Sequence, residues 1–268
     1  MRATISAIRR LLLQRIAGRM AGRAMAACLL AHASIACAGD APGFDRPGFG
    51  FDPGTLDPGR FAIEQGLPDV VRDRDDGVVV TSYSTDTLVR LGIAPHVELQ
   101  FGGSLYDAEH VRGGGTTTRR HGPGDASVGL KVAMPSQREH FAWGLLTTVS
   151  LPTGRAPFGG DDRAYDIGAV LQWTLPEDRS LAVHADHGIA PSDSSWLLAA
   201  VWSVPLSRRT QVYAEAGAAN HGDDHRVIGS GVTWTFADRM QFDLSLRRGL
   251  DRASADWQGG FGVAMRFP

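Results

Sequence analysis

The feature that most constrains the fold is a two-residue alternation of apolar and polar side chains, which recurs from about residue 60 to the end of the chain. The last such stretch, residues 257–267, reads WQGGFGVAMRF and places a bulky apolar side chain at every odd position except Gly259. Alternation with a period of two is typical of a β-strand whose two faces meet different surroundings. The sequence therefore predicts an all-β fold.

Twelve alternating segments are present, and most run to about ten residues, whereas strands of soluble folds typically have about 5–6. About ten residues is the length that a tilted strand needs to cross a bilayer. Several segments also begin or end on an aromatic residue, as expected for the girdles of a membrane barrel. The segments lie near residues 60–67, 78–92, 96–106, 124–134, 141–152, 164–175, 179–189, 195–205, 209–219, 226–236, 240–250 and 257–267.

The connections between segments alternate in length, and this favours a membrane barrel over a soluble sandwich. Long or Gly/Asp-rich connections follow odd-numbered segments, for example at residues 107–124, 153–164, 220–226 and 250–256, and tight ones follow even-numbered segments, at 93–96, 135–140, 176–179, 205–209 and 237–239. Outer-membrane barrels have short periplasmic turns and longer extracellular loops. We therefore predict an integral outer-membrane, antiparallel up-and-down β-barrel of about 12 strands over residues 60–268. The last strand should close the sheet against the first, near Phe61, Ile63 and Gln65.

The first 38 residues have the composition of an export signal. They contain six arginines and no acid, and an apolar stretch over residues 24–38 ends in Ala36-Cys37-Ala38. A basic region, a short apolar region and an A-x-A site describe a cleaved signal peptide, and the apolar run is shorter than the roughly 20 residues of a spanning helix. We predict a signal peptide at residues 1–38 and a short periplasmic lead-in, rich in Pro, Gly and Asp, at residues 39–59.

Cleavage would narrow the function classes. It removes both cysteines, which excludes disulfide and thiol chemistry. It also removes six of the 27 basic residues and none of the 29 acidic ones, which leaves a net charge of −8. A net negative charge disfavours nucleic acid as a partner. Ligand-type residues at 72–76, 159–162 and 221–225 lack the regular spacing of a metal loop. No cofactor and no metal are expected.

Three stretches carry a resemblance to a known family. They are TLVRLGIAPHVEL at residues 87–99, GDASVGLK at 124–131 and SLPTG at 150–154. In this order and spacing they resemble motifs of outer-membrane transporters associated with the meta-cleavage pathway of phenol degradation, and the resemblance covers roughly residues 60–267. It implies a barrel and a transport role, and it carries no catalytic or binding residues that can be transferred.

The strand face opposite to the lipid-facing one is predicted to line the lumen. Its acids and bases would either select solutes or pair into a network that stiffens or plugs a narrow barrel. About twelve strands lie between small filled barrels and open porins of about 16–18 strands, so a wide pore is not expected. The candidate lumen residues are Glu64, Arg90, Glu98, Gln100, Asp125, Lys131, Asp166, Gln172, His184, Asp186, Gln211, Glu215, Asp243, Arg247 and Arg266.

Three functions remain open on the sequence alone. The first is passive movement of small molecules, aromatic or apolar ones included, across the outer membrane. The second is a plugged structural or adhesion barrel acting through the 107–124 loop. The third is a lipid hydrolase using His184 as a base and Asp186 as its orienting group. The expected partners are outer-membrane lipid and lipopolysaccharide, a small-molecule solute, and the barrel-insertion machinery, which would read the C-terminal strand.

Overall fold

The computed structural model describes residues 43–191, 193–237 and 239–268, so the predicted signal peptide lies outside the described residues. The described part contains a short 3-10 turn at Pro176–Asp178 and thirteen strands. No helix in these ranges is long and apolar enough to cross a membrane. The strands are β1 (Phe61–Asp75), β2 (Val78–Ala94), β3 (Val97–Gly113), β4 (Thr116–Gly122), β5 (Ala126–Met134), β6 (Phe141–Leu151), β7 (Ala164–Leu175), β8 (Arg179–Ala190), β9 (Asp193–Pro205), β10 (Thr210–Ala219), β11 (Arg226–Ala237), β12 (Met240–Gly249) and β13 (Trp257–Phe267).

The sheet closes on itself between its first and last strands. Each strand pairs antiparallel with its neighbours, and β1 pairs with β13 in the register Phe61↔Phe267, Ile63↔Met265 and Gln65↔Val263. The rings of Phe61 and Phe267 stack at 4.4 Å between centroids. Closure satisfies the backbone hydrogen bonds that lipid cannot satisfy. The predicted closure and the alternating direction of the strands are confirmed.

Strands β4 and β5 are two parts of one wall strand. Gly122 of β4 faces Asp107 of β3, and Ala126 of β5 faces Gly103 of the same strand, so the register continues unbroken from one to the other. The interruption contains Pro123, which has no amide hydrogen to donate to the ladder. The closed barrel therefore has twelve wall strands, as the sequence predicted.

Two segments that the sequence analysis treated as loops are β-hairpins. Strand β1 continues past its predicted end at residue 67 and joins β2 through a two-residue turn at Asp76 and Gly77, with φ of 46° and 79°. Strands β3 and β4 meet at Gly114 and Gly115, with φ of 56° and 77°. Positive φ at both central residues defines the type I′ turn, which matches the twist of paired strands. The prediction of an open 107–124 loop is wrong for this reason.

These hairpins build what we call the extension, formed by residues 69–84 and 107–122. It is a four-stranded sheet in the order β1–β2–β3–β4, and it continues beyond the level at which β5 and β6 end. The extension stands at the end of the barrel that carries the longer connections, here called the long-loop end. The opposite end, with turns such as Pro95–His96, is called the short-turn end.

The two faces of the strands differ as the alternation predicts. On β12 and β13, Leu244 is 55% exposed and Phe261 is 42% exposed, whereas Asp243 is 2% exposed and Ala264 is fully buried. Large apolar side chains thus point outward around the barrel, where lipid is their solvent. The buried charged and polar side chains lie inside the closed sheet, so the core of this protein is its lumen.

Candidate functional site

The lumen is occupied by the chain itself. Residues 43–57, which we call the plug segment, contact inward-facing side chains on opposite sides of the wall, such as Lys131 on β5 and Glu215 on β10. The sequence analysis placed these residues in a periplasmic lead-in. For the plug segment that location is wrong, because its charged and aromatic side chains find their partners inside the barrel.

Asp45 of the plug segment is the centre of a buried charge network. Its carboxylate accepts hydrogen bonds from Lys131 Nζ and from Gln100 Nε2, both at 2.8 Å, and lies 3.3 Å from the Arg90 guanidinium. Arg90 in turn donates to Glu98 at 2.7 Å and to Glu64 at 2.9 Å. Two cations therefore face three carboxylates, and each charge has a partner of opposite sign.

The wall carboxylates also hold the backbone of the plug segment. Glu64 accepts hydrogen bonds from the amides of Asp45 at 3.0 Å and Arg46 at 2.7 Å, and Glu98 accepts one from the amide of Leu56 at 3.0 Å. The side chains of Glu64 and Glu98 are completely buried. Charged acceptors form stronger hydrogen bonds than neutral ones, so these contacts fix the path of the segment through the lumen.

A second anchor lies on the other side of the barrel. Glu215 accepts hydrogen bonds from the amide of Phe49 at 2.9 Å and from Arg247 Nε at 2.7 Å. The Arg46 guanidinium binds Asp69 through two nitrogens at 2.8 and 2.9 Å and approaches Asp243 at 3.4 Å. The plug segment is thus tied to strands all around the wall.

The phenyl rings of the plug segment lie against cations of the lumen wall. The Arg247 guanidinium carbon is 3.9 Å from the centroid of the Phe49 ring, and that of Arg266 is 4.2 Å from the centroid of Phe44. Lys131 Nζ lies 5.6 Å from the Phe51 ring, within the range of a cation–π interaction. His184, which is 6% exposed, meets the Phe51 ring edge-on at 5.4 Å.

Inward-facing glycines make room for the segment. A Cβ at Gly217 would lie 2.8 Å from the ring of Phe49, and one at Gly144 would lie 2.9 Å from the carbonyl oxygen of Pro53. Such distances are shorter than real Cβ contacts. The small residues on the lumen face are therefore matched to an occupied lumen.

The other candidate residues lie on the same inward face outside the central network. Asp125 accepts hydrogen bonds from the amides of Gly154 and Gly160, both at 2.7 Å, and so holds the loop at residues 152–163 against the wall. The remaining candidates, which are half-buried and away from the network, are Asp166, Gln172, Asp186 and Gln211.

A cavity of about 410 Å³ lies beside the plug segment, towards the long-loop end. It is lined by Arg46 and Glu64, by Asp86 and Asp107 of the adjoining wall, and by Phe158 of the loop after β6. Small-molecule sites typically have about 300–1,000 Å³. The lumen thus has room for a small solute next to the plug segment.

Two loops at the long-loop end are joined by a hydrogen bond. The described part of the chain contains no cluster of residues that could bind a metal ion. His225, a ligand-type residue of the 221–225 stretch, contacts Asp251 at 2.7 Å. This hydrogen bond is the main cause that holds the pKa of Asp251 at about 2. The pair fastens the connection after β10 to the one after β12.

The sequence analysis found the wall side of the site and missed its plug side. A signal was present in the repeat Gly43-Phe44-Asp45 and Gly50-Phe51-Asp52. Three phenylalanines in a stretch that is otherwise rich in Gly, Pro and Asp are unusual for a solvated linker, because such linkers contain few aromatic residues. The repeat places one ring and one acid in each half of the plug segment.

A closed twelve-stranded antiparallel barrel with an apolar outer surface and a polar lumen has the fold of the outer-membrane β-barrels. The model of the family described as "Putative MetA-pathway of phenol degradation" matches residues 44–267, and the chain belongs to this family. The match begins within the plug segment. No curated protein matches the sequence.

Two solved structures show the same fold at low sequence identity. An outer membrane channel from Pseudomonas putida F1 aligns with a TM-score of 0.62 and 13% identity, over 83% of this chain and 99% of that one. The KdgM porin in complex with disordered oligogalacturonate aligns with a TM-score of 0.52 and 9% identity, over 78% of this chain and 99% of that one.

Proposed function

We propose that this protein is a passive outer-membrane channel for small molecules that carry an aromatic ring, and that the plug segment closes it. The observation that carries the proposal is the contact of three plug phenyl rings with three lumen cations: Phe44 with Arg266, Phe49 with Arg247, and Phe51 with Lys131. When the plug segment moves aside, each cation presents to the lumen a surface already shaped for a ring.

The charged lumen bears on the choice of solute. A purely apolar solute would lose contact with water without gaining a matching surface, since the inward face carries carboxylates and guanidinium groups. An aromatic ring with a polar substituent matches this charged surface, because the face of the ring attracts a cation and the substituent forms hydrogen bonds. The family description, which names phenol degradation, supports this class of solute.

Transport across liposome membranes tests the proposal with a matched pair of solutes. Benzoate and cyclohexanecarboxylate have similar size and charge at pH 8, and only the first has a π-face. We expect the protein to carry benzoate faster. Replacing Arg247 by Gln should reduce this preference roughly two- to fivefold, the range of a cation–π contact of about 0.5–1 kcal/mol. Arg248, the neighbour of Arg247 that faces outward, provides the control. Arg248→Gln should leave the preference for benzoate unchanged.

Two results would contradict the proposal. Equal rates for the two solutes in the native protein would remove the aromatic preference. Absence of conductance and of uptake, also after the plug segment is loosened by Asp45→Ala, would favour a structural or adhesion barrel. In that case the extension, which contains the predicted 107–124 segment, would be the first surface to examine.

The hydrolase alternative is less well supported by the geometry of His184. Its ring packs edge-on against Phe51 inside the occupied lumen, and its Nδ1 has no hydrogen-bond partner within the described residues. A catalytic base needs a nucleophile within hydrogen-bond reach and an orienting partner. We therefore propose no catalytic role; release of fatty acid from lipid that is lost in His184→Ala would overturn this.

The location of the chain completes the proposal. The signal peptide at residues 1–38 would direct export, and the C-terminal strand ending in Phe267 would be recognised by the barrel-insertion machinery. The long-loop end would then face outward from the cell and the short-turn end would face the periplasm. Lipopolysaccharide, the outer-leaflet lipid, would surround the long-loop end.

A further inference from the structure

The two faces of the extension carry opposite charge. Directly paired residues share a face, so the outward face can be read along three rungs of the sheet. The outward rungs are Arg74, Val79, Arg112 and Thr117; Arg72, Thr81, His110 and Arg119; and Val70, Tyr83, Ala108 and His121. None of these twelve residues is acidic. The inward face of the same strands contains five acids, Asp69, Asp73, Asp75, Asp107 and Glu109, and one base, Arg120, so its net charge is negative.

Ring contacts confirm that the histidines share the outward face. The ring of Tyr83 lies 5.4 Å from that of His110, and the ring of Tyr106 stacks on that of His121 at 5.8 Å. Tyr106 is 50% exposed. Exposed tyrosines beside cations are typical of the membrane–water interface.

The arginines of this face are not neutralised by the protein. Arg72, Arg74, Arg112 and Arg119 are all exposed, and within the described residues none of their guanidinium groups has a hydrogen bond or ion pair. Three strand spacings separate Arg72 from Arg119, about 14 Å at roughly 4.8 Å per strand. Four unpaired cations over this distance form a basic surface with no internal partner.

The middle rung continues onto the membrane wall. Arg72 faces Trp257 on β13, and Trp257 faces Arg248 on β12, whose guanidinium lies 4.9 Å from the indole ring. Trp257 is 46% exposed at the upper end of the apolar belt, four residues from the outward-facing Phe261. The basic surface therefore stands where the apolar surface ends, at the level of the headgroups of the surrounding lipid.

We infer that the outward face of the extension, defined by Arg72, Arg74, Arg112 and Arg119, binds the phosphate groups of lipopolysaccharide. Guanidinium groups bind phosphate in a bidentate manner, and a fixed row of them on paired strands is matched to a lipid that carries more than one phosphate. The inference rests on the outer-membrane orientation proposed above and is independent of solute passage. The binding surface is outside the barrel, and the plug segment takes no part in it.

Binding of purified lipopolysaccharide to the whole protein in detergent tests this inference. The variant combines Arg72→Gln, Arg112→Gln and Arg119→Gln. The control combines Arg138→Gln, Arg208→Gln and Arg239→Gln, which removes the same charge from exposed arginines at the short-turn end. Each basic residue near an anionic lipid surface contributes roughly a fivefold factor, so the variant should bind on the order of a hundredfold more weakly. The control should bind like the native protein.

Four outcomes would overturn the inference. Native-like binding by the variant would show that the surface is not the site. An equal loss in the control would show a response to net charge alone. Binding of dephosphorylated lipopolysaccharide as tight as that of the intact lipid, or full competition by an equal phosphate concentration of inorganic phosphate, would exclude recognition of lipid-borne phosphate. Conductance measured on the same variant should be unchanged, which separates this test from that of the channel.

Discussion

Asp45→Ala should open the channel, because Asp45 joins the plug segment to the cations of the wall. The substitution removes a carboxylate that is 8% exposed and that accepts hydrogen bonds from Lys131 and Gln100, both at 2.8 Å. It also removes an ion pair with Arg90 at 3.3 Å. Lys131 would keep the more distant carboxylate of Glu98, at 3.8 Å.

The magnitude follows from the two hydrogen bonds to a charged group. Each contributes about 1.5–3 kcal/mol, so the closed state should lose at least about 3 kcal/mol relative to the open state. In the open state water surrounds Lys131, so the substitution does not change the free energy of that state. A change of about 3 kcal/mol shifts the ratio of open to closed channels roughly 150-fold.

Multichannel current across a planar bilayer measures this ratio. At equal protein density, Asp45→Ala should carry far more current than the native chain. Asp57→Ala is the control, since it removes the same charge from an exposed position at the end of the plug segment. Heat-modifiable migration on gels verifies that each barrel is folded. An unchanged current for Asp45→Ala, or an equal rise for Asp57→Ala, would refute the gating role of the network.

Three further outcomes are expected. Leu244→Arg on the lipid-facing side should lower the free energy of unfolding by about 2–4 kcal/mol, whereas Leu206→Arg, in an exposed turn, should change it little; equal effects in denaturant titrations would contradict the membrane register. Gly144→Ala should raise the open-channel current, because its Cβ would lie 2.9 Å from the Pro53 carbonyl oxygen, and native current would show that the segment adapts. The pKa of Asp251, about 2, lies below the ordinary value of about 3.9. The stabilisation of the long-loop end by Asp251 should be complete above pH 4 and lost towards pH 2. Protease cleavage of that loop, followed as a function of pH, measures this stabilisation. Cleavage that is already complete at pH 5 would exclude this role.

The wall of the barrel was predictable because the pattern that determines it lies within each strand's own sequence. Alternation fixes which face of a strand points to lipid, and one misplaced residue would turn every side chain to the wrong face. Leu244 and Asp243 show this, since their exposures of 55% and 2% follow directly from their parity. The count of alternating segments then gave the number of strands, and loop asymmetry indicated a membrane barrel. The type I′ hairpins were also encoded locally, in Asp76-Gly77 and Gly114-Gly115, and were missed because these residues were assigned to connections between strands.

The occupant of the lumen was not predictable in the same way. Arg46 and Asp243 are 197 residues apart in sequence, and no periodicity links them. The consequence is clear at Ala264, an inward position that the alternation assigns to a polar lumen. Ala264 is completely buried and faces Glu64 across the strand pair, so an arginine would have to displace the plug segment.

The charges of the lumen would allow the proposed closure to be both firm and reversible. Arg90, Glu64 and Glu98 are fully buried when the plug segment is in place, and charges removed from water are stable only with complete pairing. Asp45 completes that pairing in the closed state, whereas in the open state water does so, because the lumen then hydrates. An apolar plug would have no such alternative partner in an open barrel, and its exposed surface would oppose opening. Under the proposed gating, the network would therefore stabilise two states of one lumen, and the balance between them would depend on how well Asp45 competes with water.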